Sequence, residues 1–197
     1  MISKVKICGI TNLKDAINAI NLGADALGFV FYDKSPRYVA PKDAYEIVQQ
    51  LPPFVHKVGL FVNETASDIN SICIDTKMSI AQIHFTADDL LYNSLKIPHI
   101  KVIRAKSQED IEKYEDEYRI VDAFVDSYGG AGKRVESLWF KDIDCSKIIL
   151  AGGLNTHNID EMKEYGFYGF DVSSGVERAK GKKDKQKMKD FIKKAKA

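Results

Sequence analysis

Apolar residues recur along this chain in short runs rich in Val, Ile and Phe, and each run is followed by a stretch in which apolar and polar residues alternate at helical spacing. The pattern predicts strands over residues 5–8, 26–31, 57–62, 81–84, 101–104, 123–126, 148–151 and 169–172. Helices are expected to begin near Asn12, Lys42, Thr65, Asp88, Ser107, Ser137, Asn155 and Lys183, most of them with a polar cap or an acidic first turn. The first is the clearest: Asn12 can cap it with Asp15 three residues on, Leu13, Ala16, Ile17 and Ile20 share a face, and Gly23 supplies a stop. The sixth, within residues 133–144, is short and lacks clear periodicity. Eight strand and helix pairs with no Pro/Ser-rich linker predict an α/β fold, a compact single (β/α)8 TIM barrel over residues 1–197. A doubly wound sheet would leave units unexplained and would place a Gly-rich turn after the first strand, whereas here the glycine-rich turns come late.

A barrel gathers its chemistry at the C-terminal ends of the strands. Cys8, Asn63, His84, Asp126 and Asp171 fall there, far apart in sequence but expected at one mouth. Cys8 ends the first strand just before a helix, where a space-filling cysteine would be oddly exposed and where helix amides would favour a thiolate. The competing reading is a small core hydrophobe. Asp126 closes an apolar strand and is a candidate acid or base opposite Cys8, or else a helix cap or ion-pair partner. Asp122 is read as lying at the opposite end of that strand, in a structural role. Arg37, in a loop stiffened by Pro36, can hold a carboxylate bidentately or simply face solvent.

After the seventh strand comes Ala151-Gly152-Gly153-Leu154-Asn155, and after the eighth Asp171-Val172-Ser173-Ser174-Gly175-Val176-Glu177. Loops of small residues at these two positions form the usual phosphate site of such barrels, so Gly152, Gly153, Ser173, Ser174 and Gly175 are candidate phosphate ligands. Tight turns with positive φ are the other use for Gly152 and Gly153. The run Gly129-Gly130-Ala131-Gly132-Lys133 offers a loop able to close over a ligand.

Composition narrows the function classes. The 197 residues are 45% hydrophobic and 29% charged, with a formal charge of +1, which gives no global field for nucleic acid. The lysine-rich end from Lys180 to Lys196 reads as the solvated face of a last helix that docks through Met188, Phe191, Ile192 and Ala195. No apolar run reaches the roughly 20 residues of a membrane span. Three cysteines without close pairing, and no signal-peptide core, fit a reducing cytoplasm. Four scattered histidines give no metal-ligand spacing, so no metal is expected; only His84 is expected at the mouth, where it can serve as a polar wall.

Together with these loops, Lys6-Ile7-Cys8-Gly9-Ile10-Thr11, Gly28-Phe29-Val30-Phe31-Tyr32, Ser35-Pro36-Arg37-Tyr38 and Val58-Gly59-Leu60-Phe61-Val62-Asn63 closely resemble the phosphoribosylanthranilate isomerase family of tryptophan biosynthesis, in the family's order and over essentially the whole chain. The resemblance implies a cofactor-free Amadori rearrangement of N-(5-phosphoribosyl)anthranilate, a small-molecule phosphosugar. It places the general base on Cys8, the general acid on Asp126, the anthranilate carboxylate on Arg37, the phosphate on the Gly152-Gly153 and Ser173-Ser174-Gly175 loops, and the sugar near Asp171. The sequence itself leaves the oligomeric state open: a barrel this small can stand as a monomer or pair through its loops as a homodimer. The chain departs from the family pattern at Phe85, where a glycine is usual, at Ala131, where a hydroxyl is lost, and at Lys180, where proline is usual. A related aldose–ketose isomerase of histidine biosynthesis uses two aspartates, and Cys8 argues against it.

Overall fold

A computed structural model describes residues 2–123 and 136–197. Eight parallel strands close into a barrel in sequence order: β1 (Lys4–Cys8), β2 (Ala26–Val30), β3 (His56–Phe61), β4 (Ile80–Ile83), β5 (His99–Ala105), β6 (Arg119–Ala123), β7 (Ile148–Leu150) and β8 (Gly169–Val172), with β8 pairing back onto β1. Between them run α1 (Leu13–Asn21), α2 (Pro41–Val48), α3 (Ala66–Asp75), α4 (Asp89–Ser94), α5 (Gln108–Ile111) and α6 (Ile159–Lys163), and α7 (Lys185–Lys196) follows β8.

The strand period of two decides where each side chain goes. Val5, Ile7, Leu27, Phe29, Phe61, Ile83, Val121, Leu150, Phe170 and Val172 are buried in the main apolar core that holds sheet and helices together. Alternate residues, among them Lys6, Cys8, Gln82 and Asp171, form a second, mixed set. Phe85, which stands where the family pattern has a glycine, is taken into the main core.

The caps expected at Asn12, Thr65 and Asp88 form, the last helix is capped one residue past its expected start, and Ser107 makes no side-chain cap bond. Asn12, Thr65, Asp88 and Asp184 each accept a hydrogen bond from a backbone amide of the following helix. Three expectations need correction. The sixth strand, read at residues 123–126, is described over Arg119–Ala123, so Asp122 is its fourth residue and not its start; Arg119 and Asp122 interrupt the apolar run that betrays the other strands. The sixth helix shrinks to a 3-10 turn, Ser137–Phe140. The turn before the last helix is an antiparallel hairpin, β9 (Glu177–Ala179) with β10 (Lys182–Lys183), set against the loops that follow β1 and β2. Asp126 and the loop at Gly129 to Lys133 lie outside the described residues.

Asp15 anchors that hairpin. Its buried carboxylate accepts from the Lys183 backbone amide at 2.9 Å and from Asn12 Nδ2 at 2.8 Å. Asp15→Ala would leave the Lys183 amide buried without its partner, and should lower unfolding free energy by about 1–3 kcal/mol in urea melts. A variant as stable as the native chain would show that the hairpin does not depend on this bond.

Candidate active site

Inside the barrel, Lys6 reaches both a neighbour in the sheet and a residue on the far side. Its ammonium donates to Asp171 Oδ2 on β8 and to Gln82 Oε1 on β4, each at 2.7 Å. Strands β1 and β4 do not pair, so the contact crosses the interior of the barrel. From Gln82 the polar chain continues through Nε2 to His84 Nδ1 at 3.3 Å, and His84 Nε2 lies 3.7 Å from Asp122 Oδ2. Burial, helped by the charges of Lys6 and Arg104, pushes His84 down to about 4, while burial together with Asp171 lifts Asp122 to about 6. At neutral pH the pair is a neutral imidazole beside a carboxylate, so it is a polar contact and not an ion pair. Asp122, expected to be structural and remote from the mouth, therefore belongs to the interior network.

Cys8 stands on the same strand face as Lys6, two residues on. It is buried, with 7% of its surface exposed, against Val30, Leu60 and Val62. The two amides that follow it, of Gly9 and Ile10, both donate to Gly28 O, and Asn12 accepts from the Asp15 amide of α1. Burial raises the thiol above its ordinary value; Lys6 and Lys183 pull it down, Asp171 adds to the rise, and burial prevails. Both earlier expectations, an exposed thiol and a helix-stabilised thiolate, are thus corrected: desolvation outweighs the nearby charge.

Arg37 is not a solvent-facing arginine. It is 7% exposed and forked onto Glu177, with Nε to Oε1 and Nη2 to Oε2 both at 2.8 Å. Glu177 Oε1 also accepts from Lys183 Nζ at 2.9 Å. Burial alone would raise Glu177, but these two cations hold it below the usual carboxylate range. Lys183 reaches on to the Ser173 carbonyl and hydroxyl. The group of two cations and one carboxylate keeps one net positive charge at the mouth, and Nη1 of Arg37 is not used by Glu177.

The two small-residue loops meet. A parallel bridge joins Asn155 to Gly175, so close that a Cβ on Gly175 would fall 1.9 Å from the Leu154 carbonyl oxygen. Gly152 and Gly153 adopt positive φ of 86° and 62°. The turn geometry and the close approach are both real, and glycine serves each. Asp171 Oδ1 is buried and has no hydrogen-bond partner among the described residues, an acceptor ready for a donor from outside the chain.

The structure thus brings together Cys8, Asp171, Arg37 and the Ser173 loop, linked through Lys6, Lys183 and Glu177, and brings Gly152 and Gly153 to the same loop pair. Sequence reasoning missed Lys6, Gln82, Glu177 and Lys183 as site residues. The period of two from Cys8 was the available signal for Lys6.

A sequence model described as N-(5'phosphoribosyl)anthranilate (PRA) isomerase matches residues 5–194. The chain belongs to the phosphoribosylanthranilate isomerase family. A relative from Sulfurovum sp. (strain NBC37-1), named N-(5'-phosphoribosyl)anthranilate isomerase, is 55% identical over 194 residues, covering 98% of this chain and 99% of the relative. The crystal structure of phosphoribosyl anthranilate isomerase from Thermotoga maritima superposes with a TM-score of 0.92 at 38% identity, covering 99% of both chains. Another isomerase structure, holding reduced 1-(o-carboxyphenylamino)-1-deoxyribulose 5-phosphate, aligns with a TM-score of 0.85 at 37% identity, again over 99% of both chains. Membership in the phosphoribosylanthranilate isomerase family makes this chain an isomerase of tryptophan biosynthesis built on a (β/α)8 barrel.

Because burial raises Cys8, its reaction with iodoacetamide should be slow at pH 7 and climb only above about pH 8.5, where an ordinary thiol titrates. Peptide-level mass spectrometry across a pH series reads this. Alkylation at neutral pH as fast as that of free cysteine would contradict the burial argument. Cys73 and Cys145, pushed up to about 12, should lag further.

Proposed function

We propose that this chain converts N-(5-phosphoribosyl)anthranilate to 1-(2-carboxyphenylamino)-1-deoxyribulose 5-phosphate, with Cys8 as general base and Asp126 as general acid. The observation that carries the reading is whole-length likeness to an isomerase holding the reduced form of that product. The substrate has a carboxylate at one end and a phosphate at the other. Arg37, with Nη1 left over by Glu177, suits the carboxylate. Backbone at Gly152, Gly153, Ser173, Ser174 and Gly175 suits the phosphate. The unpartnered oxygen of Asp171 suits a ribose hydroxyl between them.

Asp126 protonates the ring oxygen as the bond from C1 to that oxygen breaks, and the nitrogen lone pair forms the iminium. The iminium acidifies the proton on C2. The Cys8 thiolate removes it, and the electron pair becomes the C1–C2 double bond while the iminium returns to an amine. The enolamine then loses its hydroxyl proton and gains one at C1. C2 is oxidised and C1 reduced within one molecule, so the atoms balance without a redox cofactor. Cys8 works as a proton base and forms no covalent bond to carbon. All three cysteines are free thiols, as a reducing cytoplasm would keep them.

Purified protein should consume phosphoribosylanthranilate with loss of substrate fluorescence and should rescue a tryptophan auxotroph lacking this step. Cys8→Ala and Asp126→Ala should each lower kcat about 100-fold or more. Arg37→Met should act chiefly on KM, raising it about tenfold, as expected for loss of a charge-assisted hydrogen bond. Normal turnover in Cys8→Ala would remove the proposed base, and an inactive native protein would remove the substrate assignment.

A further inference from the structure

A base buried among Val30, Leu60 and Val62 needs a counter-charge if it is to lose its proton at all. Glycine makes the room for one. Gly28 pairs with Cys8 across β1 and β2, and a Cβ there would lie 2.8 Å from Cys8 Sγ and 3.0 Å from Lys6 Cε. The thiol and the end of the lysine stem therefore share the space that a side chain at this position would fill. Lys6 cannot wander from it, since two 2.7 Å hydrogen bonds, to Gln82 on one side and Asp171 on the other, tie down its ammonium. A third donor remains on the ammonium, and the thiol lies beside the end of the same stem.

We propose that Lys6 is the positioning cation of the base, its ammonium held over Gly28 by Asp171 and Gln82 so that Cys8 ionises against a fixed charge. The inference rests on Cys8 being the base and adds the group that allows it. Lys6 touches no reacting atom. It acts through Cys8, keeping the thiolate within reach at the pH where the enzyme works.

Other charges face the thiol and must be counted. Asp171 on β8 opposes ionisation, and Lys183 on β10 favours it. Arg37, from the loop after β2, packs beside Gly9. His84 on β4, Arg104 on β5 and Asp122 on β6 bear on the interior from the far side. Strands β2 and β7 carry no ionisable residue, and β3 carries His56 and Lys57 only at its start. Among the described residues, Lys6 combines a cationic charge, a place beside the thiol and two tethers.

The test compares native protein with Lys6→Met and Lys6→Gln, the second keeping an amide donor for Asp171 while removing the charge. Iodoacetamide reaction at Cys8, read by peptide mass spectrometry, and kcat/KM for phosphoribosylanthranilate are both followed against pH. Both acid limbs should move up by about one pH unit, a roughly tenfold loss at neutral pH that recovers in alkaline buffer. Limbs that stay in place while activity falls equally at every pH would overturn the proposal and leave Lys6 a structural residue. If neither variant folds by circular dichroism, native protein labelled with 15N-lysine decides: the Lys6 Nζ resonance should shift over the pH range in which Cys8 alkylation titrates, and a resonance unmoved there overturns the proposal. The alkylation profile does not depend on turnover, so a failed base assignment, seen as full activity in Cys8→Ala, is separable from a failed role for Lys6.

Discussion

Lys6 and Asp171 face each other where the last strand meets the first, in register, with 2.7 Å between ammonium and carboxylate and little of either exposed. Removing two charges from water costs about as much as their attraction returns, so such a pair is a poor source of stability. Its worth here is placement. Gln82 hangs from the same ammonium, His84 from Gln82, and Asp122 lies against His84, so one ion pair sets the polar order of the barrel interior. The apolar shell between strands and helices supplies the folding energy, and it leaves the lumen to chemistry.

A second buried group extends that order to the rim. Glu177 takes Arg37 with both oxygens and Lys183 with one, and Lys183 reaches the Ser173 loop. Two cations against one carboxylate leave a site biased toward anions at low reorganisation cost, because the donors are already aimed. The fork of Arg37 is fixed by Glu177 rather than by substrate, so the order is present before a ligand arrives.

Much of the fold was legible because apolar runs and polar caps agreed: Asn12, Thr65, Asp88 and Asp184 all cap the helices that follow them. The start of the sixth strand was missed because Arg119 and Asp122 break its apolar run, yet Arg119 is buried with its guanidinium on the carbonyls of Ile111, Glu115 and Glu117. Cys8, Arg37 and Asp171 stood out by chemistry and strand-end position. Lys6 and Lys183 did not, since a lysine near a strand start, or within Lys180-Gly181-Lys182-Lys183, reads as a solvated charge. Only closure of the barrel buries Lys6, and only the hairpin turns Lys183 inward while Lys182 stays exposed. The polarity of the thiol was misjudged because local spacing shows a helix start and not the depth at which the residue lies.

The hairpin after β8 ties the end of the chain to its beginning. Thr11 Oγ1 donates to the Gly181 carbonyl, Asp15 accepts from Lys183, and Glu177 grips an arginine that follows the second strand. Without the segment after β8, Arg37 lacks the Glu177 carboxylate that holds it and Asp15 lacks the Lys183 amide from which it accepts. The segment after β8 therefore completes the charged contacts of the pocket, which the earlier strands and helices cannot make among themselves.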